Sequence, residues 1–208
     1  MKRKAALWSI VLAASAASGV VLAQTSTTED GPAPQAAPTA PVASAPLAPA
    51  PVAPPPLPPQ PAAGTTPSSV VTLIETVCQP LIAGQDEKTV ARAAGLRKSG
   101  VSWLLKAKGA PTITLTAPTE ANPNACVLAL DSSPGQSQPL VDGLTWWAGT
   151  RAPPMKPFDT AHQSGGITSW SWTSDTATRH QGLALSVTQG GGSHGADAAT
   201  VLYSDRPQ

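Results

Sequence analysis

The chain has 208 residues, including 24 prolines, 17 glycines and two cysteines, with 13 Lys and Arg against 12 Asp and Glu and a formal charge of +1. No basic block is present to gather phosphates, which excludes a nucleic-acid binder. Fourteen of the prolines fall between Gly31 and Pro67, where Pro and Ala fill 25 of 37 positions, and no charged residue occurs from Gly31 to Ile74. Such a stretch buries too little apolar surface to offset its ordering entropy, so Ser68–Gln208 is left as one compact domain and a second domain is excluded.

Lys2, Arg3 and Lys4 precede an apolar run from Ala5 to Ala23, and Gln24 opens a polar stretch. A basic start followed by a weakly hydrophobic Ala/Ser/Val/Leu segment is the pattern of an export signal. Val21 and Ala23 offer the small side chains a signal peptidase accepts, so residues 1–23 read as a signal peptide cut after Ala23. Ala14-Ser15-Ala16 is a second candidate cut. At 19 residues the run would just span a bilayer as an uncleaved anchor. Its Ser9, Ser15, Ser18 and Gly19 weigh against that alternative. Cleavage removes three of the 13 basic residues and leaves ten against twelve acids, close to −2. The expected location is the periplasm or the extracellular space, with no stable membrane insertion after cleavage.

Residues 24–67 read as a disordered Pro/Ala-rich linker. Proline fixes φ and disfavours helix in the residue before it, which gives a semi-rigid polyproline II spacer with a reach of roughly 100 Å. A ligand for an aromatic groove is the other reading of such a segment. No basic residue flanks the prolines as many groove-binding motifs require, so the passive spacer is carried forward.

From Ser68 to Ala83, apolar residues at Val70, Val71, Leu73, Ile74, Val77, Cys78, Leu81 and Ile82 follow one helical face, with Pro80 expected to end or kink the helix near Cys78. A second helix is expected over Asp86–Ala94, capped by Asp86 and stopped by Gly95. Two strands follow, Thr112–Thr116 and Cys126–Leu130, while Val101–Leu105 fits either a strand or a helical turn. Gln138–Ala148 returns to helical spacing with Gly149 as its stop. Ile167–Thr173, Gly182–Thr188 and Ala199–Tyr203 then read as strands joined by short connections, an antiparallel meander. The expected fold class is α+β in order α-α-β-β-α-β-β-β: a two-layer domain with an antiparallel sheet of about five strands packed by two to three helices. The β-β-α-β-β-β core is similar in element order, and in that alone, to profilin-like and GAF-like domains.

In an exported chain the two cysteines are expected to pair as Cys78–Cys126, closing a loop of about 49 residues. They lack the C-x-x-C spacing of a redox pair, and no His spacing completes a zinc site. Gly191-Gly192-Ser193-His194-Gly195 matches G-x-S-x-G, yet it lies between two predicted strands with no helix after the serine and no later histidine. A triad of His162, Asp175 and Ser193 has no support in spacing, and His162, His180 and His194 fit no metal-ligand pattern. No catalytic residue, metal or cofactor is assigned.

Five of the six tryptophans lie in the domain. Trp146, Trp147, Trp170 and Trp172 are the candidate aromatic ligand platform, weighed against a role in a core poor in other aromatics. Trp146 or Trp147 is the better exposed candidate and Trp172 the better core one. The leading expectation is an exported, periplasmic, non-catalytic envelope or binding protein whose partner is a cell-envelope glycan, peptide or protein. The alternatives are a small secreted hydrolase using residues of the 159–195 region, and a purely structural envelope spacer.

Overall fold

A computed structural model describes residues 55–107, 109–135, 137–158 and 161–208. The expected signal peptide and most of the expected linker lie outside these residues. The compact unit spans Val52–Gln208. It therefore begins before Ser68, and Leu57 and Pro61, which composition assigns to the linker, lie against a helix described below.

Helix α1 (Thr66–Leu73) starts behind Thr65, whose hydroxyl accepts from the Ser68 amide, with Pro67 in the first turn where its missing N–H costs nothing. The helix then runs through a π turn (Ile74–Cys78) into α2 (Gln79–Ile82). Pro80 thus neither ends the helix nor simply kinks it. Proline lacks an amide to bond four residues back, and the wider π turn just before it takes up the misfit, with the Gln79 amide reaching back to the Ile74 carbonyl. Helix α3 (Glu87–Ala93) is capped by Asp86 as expected, and Gly95 follows at positive φ.

Among the described residues, nine antiparallel strands form one sheet. They are β1 (Arg97–Ser99), β2 (Ser102–Leu105), β3 (Ile113–Thr116), β4 (Ala125–Ser132), β5 (Lys156–Pro157), β6 (His162–Ser164), β7 (Ile167–Asp175), β8 (Arg179–Thr188) and β9 (Asp197–Pro207). All five expected strands are present, four of them longer than expected and β3 one residue shorter, and Val101–Leu105 resolves as a turn and strand β2. The expected count of about five is corrected to nine, because β1, β5 and β6 are too short to show a period. The order is β1-β2-β3-β4-β9-β8-β7-β5, with β6 also on β7. The closing β7-β8-β9 meander folds back so that the last strand joins β4. Helix α4 (Ser137–Gly149) makes the crossover, and Gly149 is its final residue rather than the stop beyond it.

One sheet face is apolar. Leu128, Leu183, Leu185, Val201 and Tyr203 are buried there with Trp172, under Val70, Ile74, Val77, Leu144 and Trp147 of the helices. The other face carries Ser169, Ser171, Thr173, Ala184, Ser186 and Thr200, the alternation of an antiparallel sheet with one wetter side. Cys78 and Cys126 form a disulfide, with Cα atoms 5.5 Å apart, that ties the π turn to β4. Among the described residues no helix is long and apolar enough to cross a membrane.

Candidate functional site

A cleft of about 890 Å³ lies between the 59–67 segment, the start of α4, the end of β4 and the β8–β9 loop. Its polar side chains include Asp131, Asp142, Ser193 and His194, set among the rings of Pro61 and Pro134. Next to Ala196 of the lining, Asp197 is a buried carboxylate that accepts from the amides of Gly190 at 3.1 Å and Gly135 at 3.3 Å. Those two bonds hold the β4–α4 and β8–β9 loops together. Asp131 accepts from the Ser193 amide at 3.1 Å, and a Cβ on Gly192 would lie 2.9 Å from its Oδ1. Glycine at 192 therefore lets the loop close over the carboxylate. His194 sits at the mouth with φ of 55°, a left-handed conformation that costs a side-chain-bearing residue of order 1 kcal/mol.

The His, Asp and Ser of the G-x-S-x-G and triad patterns are held apart in the fold. Asp175 pairs with His180 through its carboxylate and the Nδ1 of the ring. That pair closes one end of the β7–β8 ladder, while Ile167 opposite Thr188 closes the other, next to the Ser193 loop. Eight residues of strand separate the two ends, about 26 Å. His162 pairs opposite Ser169 on β6 and lines a separate shallow depression on the wetter face. The structure thus brings Asp175 to His180, and Ser193 to Asp131, and does not bring His162, Asp175 and Ser193 together. Among the described residues no cluster of His, Cys, Asp or Glu is arranged to hold a metal ion.

A second, more polar cleft of about 510 Å³ lies at the other end of the sheet. There Arg179 donates to both oxygens of Asp205, at 3.0 and 2.6 Å, and Gln181 and the Tyr203 hydroxyl also donate to that carboxylate. Burial, with the Asp205 charge beside it, pushes the Tyr203 phenol up to about 12. Glu75, on the π turn, accepts from Trp147 Nε1 at 2.9 Å and from Arg151 at 3.3 Å, and Arg151 stacks 5.0 Å from the Trp147 ring. This network satisfies its own charges and joins the first helix to α4.

Of the four tryptophans proposed as a platform, Trp147 and Trp172 are buried, at 1% and 3% exposure. Trp146 and Trp170 are half-buried against the same core. Trp147 meets Tyr203 edge to face at 5.9 Å. The fifth, Trp103, is buried with its Nε1 on Glu87, 2.5 Å away, and a hydrogen bond from Lys98, together with this one, holds the Glu87 carboxyl below the usual carboxylate range. Asp131, Asp197 and Asp205 were missed in the sequence, although their signal is there. Asp197 and Asp205 stand at even spacing with Ala199, Val201 and Tyr203, which places acids at both ends of a buried strand face.

Comparison with protein-family models, with curated proteins and with solved structures finds no match.

Proposed function

We propose that the chain is an exported, non-catalytic binding protein of the cell envelope, most simply periplasmic, in which one disulfide-stapled α+β domain follows a cleaved signal and a proline-rich stalk. The observation that carries this reading is the cleft of about 890 Å³ beside the 59–67 segment, which offers Asp131, Asp142 and His194 as polar anchors. Pre-formed concave sites with a few convergent polar groups are where ligands bind. A glycan, peptide or protein of the envelope is the partner class.

The test has two arms. The purified mature chain is assayed against ester, peptide and glycoside substrates, and titrated with peptidoglycan fragments by calorimetry. Binding that weakens at least tenfold on Asp131→Ala, without turnover, is the expected result; turnover lost on Ser193→Ala overturns the reading. N-terminal sequencing of the exported protein checks the address, with Gln24 expected as the first residue.

The Asp175–His180 contact favours a second reading, a small secreted hydrolase working at the far end of the β7–β8 hairpin. Its signature is turnover that survives Ser193→Ala and falls on His180→Ala.

A further inference from the structure

Residues 55–61 read Pro-Pro-Leu-Pro-Pro-Gln-Pro, with proline at five of seven positions. Proline at that density favours polyproline II, about 3.1 Å per residue. The segment lies along α4 through two gaps in the helix surface. A Cβ on Gly149 would collide with both methyl groups of Leu57, and a Cβ on Gly143 would lie 3.0 Å from Cγ of Pro61. Leu57 to Pro61 is four residues, about 12 Å of polyproline II. Gly149 back to Gly143 is six residues of helix, about 9 Å. The two lengths agree to within about 3 Å for a segment running antiparallel to α4. Trp146 falls between the two glycines, three residues from each and so on the same winding row, and it is half-buried.

The contact is shallow. Leu57 stays 49% exposed. Among the described residues no hydrogen bond ties 55–61 to the rest of the chain. Side-chain fit alone holds the segment, as in the recognition of proline-rich peptides on aromatic-lined grooves. The sequence also repeats what is seated there. Pro56-Leu57-Pro58-Pro59 has the pattern Pro-Leu-x-Pro, and the pattern recurs once, at Pro46-Leu47-Ala48-Pro49.

We propose that the groove over Gly149, Trp146 and Gly143 is a binding site for Pro-Leu-x-Pro peptides, filled in cis by Pro56–Pro59 and able to take the Pro46–Pro49 segment of a second copy of this chain. The inference goes beyond the cleft reading, and it is read at Gly149, which does not line that cleft.

The test uses the full mature chain and a labelled peptide of residues 44–53, followed by fluorescence anisotropy. Leu57→Ser empties the groove at an exposed position, so this variant is expected to bind the peptide at least tenfold more tightly than the unaltered chain. Adding Gly149→Val fills the groove and is expected to reverse the gain, as is replacing the peptide's Leu47 by Ser. Equal binding by the three chains, or by the two peptides, overturns the site. If Leu57→Ser fails to fold, amide shifts in the unaltered chain decide: shifts on α4 with millimolar peptide support the site and none overturns it. Sedimentation assigns the occupant. Concentration-dependent association lost in Gly149→Val supports the second copy, and a monomer throughout overturns that part.

Discussion

Tyr203 is the only tyrosine in the chain, and its ring is buried against Trp147 with its hydroxyl on Asp205. Its pKa is raised from 10.0 to about 12. Below pH 10 the phenol is protonated in both folded and unfolded chains, and its contribution to stability is fully present. Between pH 10 and 12 the unfolded chain releases a proton that the folded chain keeps, so stability falls as pH rises, by on the order of 2–3 kcal/mol in all. Phenolate absorbance isolates this group without mutagenesis. The native midpoint is expected near 12, and near 10 in denaturant; coincident midpoints would remove the buried-phenol account. His194 gives a second prediction at this scale. Replacing it by glycine relieves a left-handed conformation and should raise stability by about 1 kcal/mol, seen as a higher urea midpoint at unchanged slope. The sequence shows three glycines before Ser193 but not which residue takes the strained φ, because that depends on Asp131 pulling the loop from a distant strand.

At the scale of elements, caps and long periods were legible and short or interrupted pieces were not. Asp86 and Gly95 bound α3 as their chemistry requires, and the five expected strands were legible from alternation in β3 and an apolar run in β4 to the closing meander. Strands of two or three residues, such as β5 and β6, carry no alternation to read. Pro80 misled because a proline rule assumes an unbroken α ladder, and the π turn supplies another way through. Gly149 misled for a different reason. It reads as a helix stop by propensity, whereas its place at the end of α4 serves close approach by Leu57. Gly143 makes the same point testable. Alanine there gains about 1 kcal/mol of helix propensity, but its methyl would lie 2.7 Å from Cβ of Pro67, a rigid ring at the start of α1. Overpacking of this kind costs about 1–3 kcal/mol, so Gly143→Ala should lose about 1 kcal/mol net, measured by urea unfolding. Gly149→Ala should be near neutral, since the end of Leu57 can swing aside. A gain from Gly143→Ala would mean that α1 and α4 do not meet so closely.

For the molecule as a whole, the sequence marked the pieces better than the place where they join. The cysteine pair was legible because a chain with two cysteines has one internal pairing. The stalk–domain boundary was not, because proline composition looks alike whether the segment is free or laid along a helix with glycine gaps. The candidate cleft was illegible for the same reason: one of its walls is that segment, and the others come from loops far apart in sequence. The disulfide shows what the global arrangement rests on. Both cysteines are fully buried, and the bond joins the π turn to β4, a central strand, across a sequence separation of 48. Two thiols would fit the same space as small apolar groups, so reduction should leave the packing nearly intact and act mainly by freeing the unfolded chain. The loop-closure entropy corresponds to roughly 4 kcal/mol, and for a unit of this size to a Tm lower by on the order of 10 °C. Reduction under denaturing conditions, alkylation-free refolding in excess reductant and a calorimetric scan measure it. An unchanged Tm, or two reactive thiols in the unreduced, unfolded protein, would mean that the bond is not what holds the first helix to the sheet.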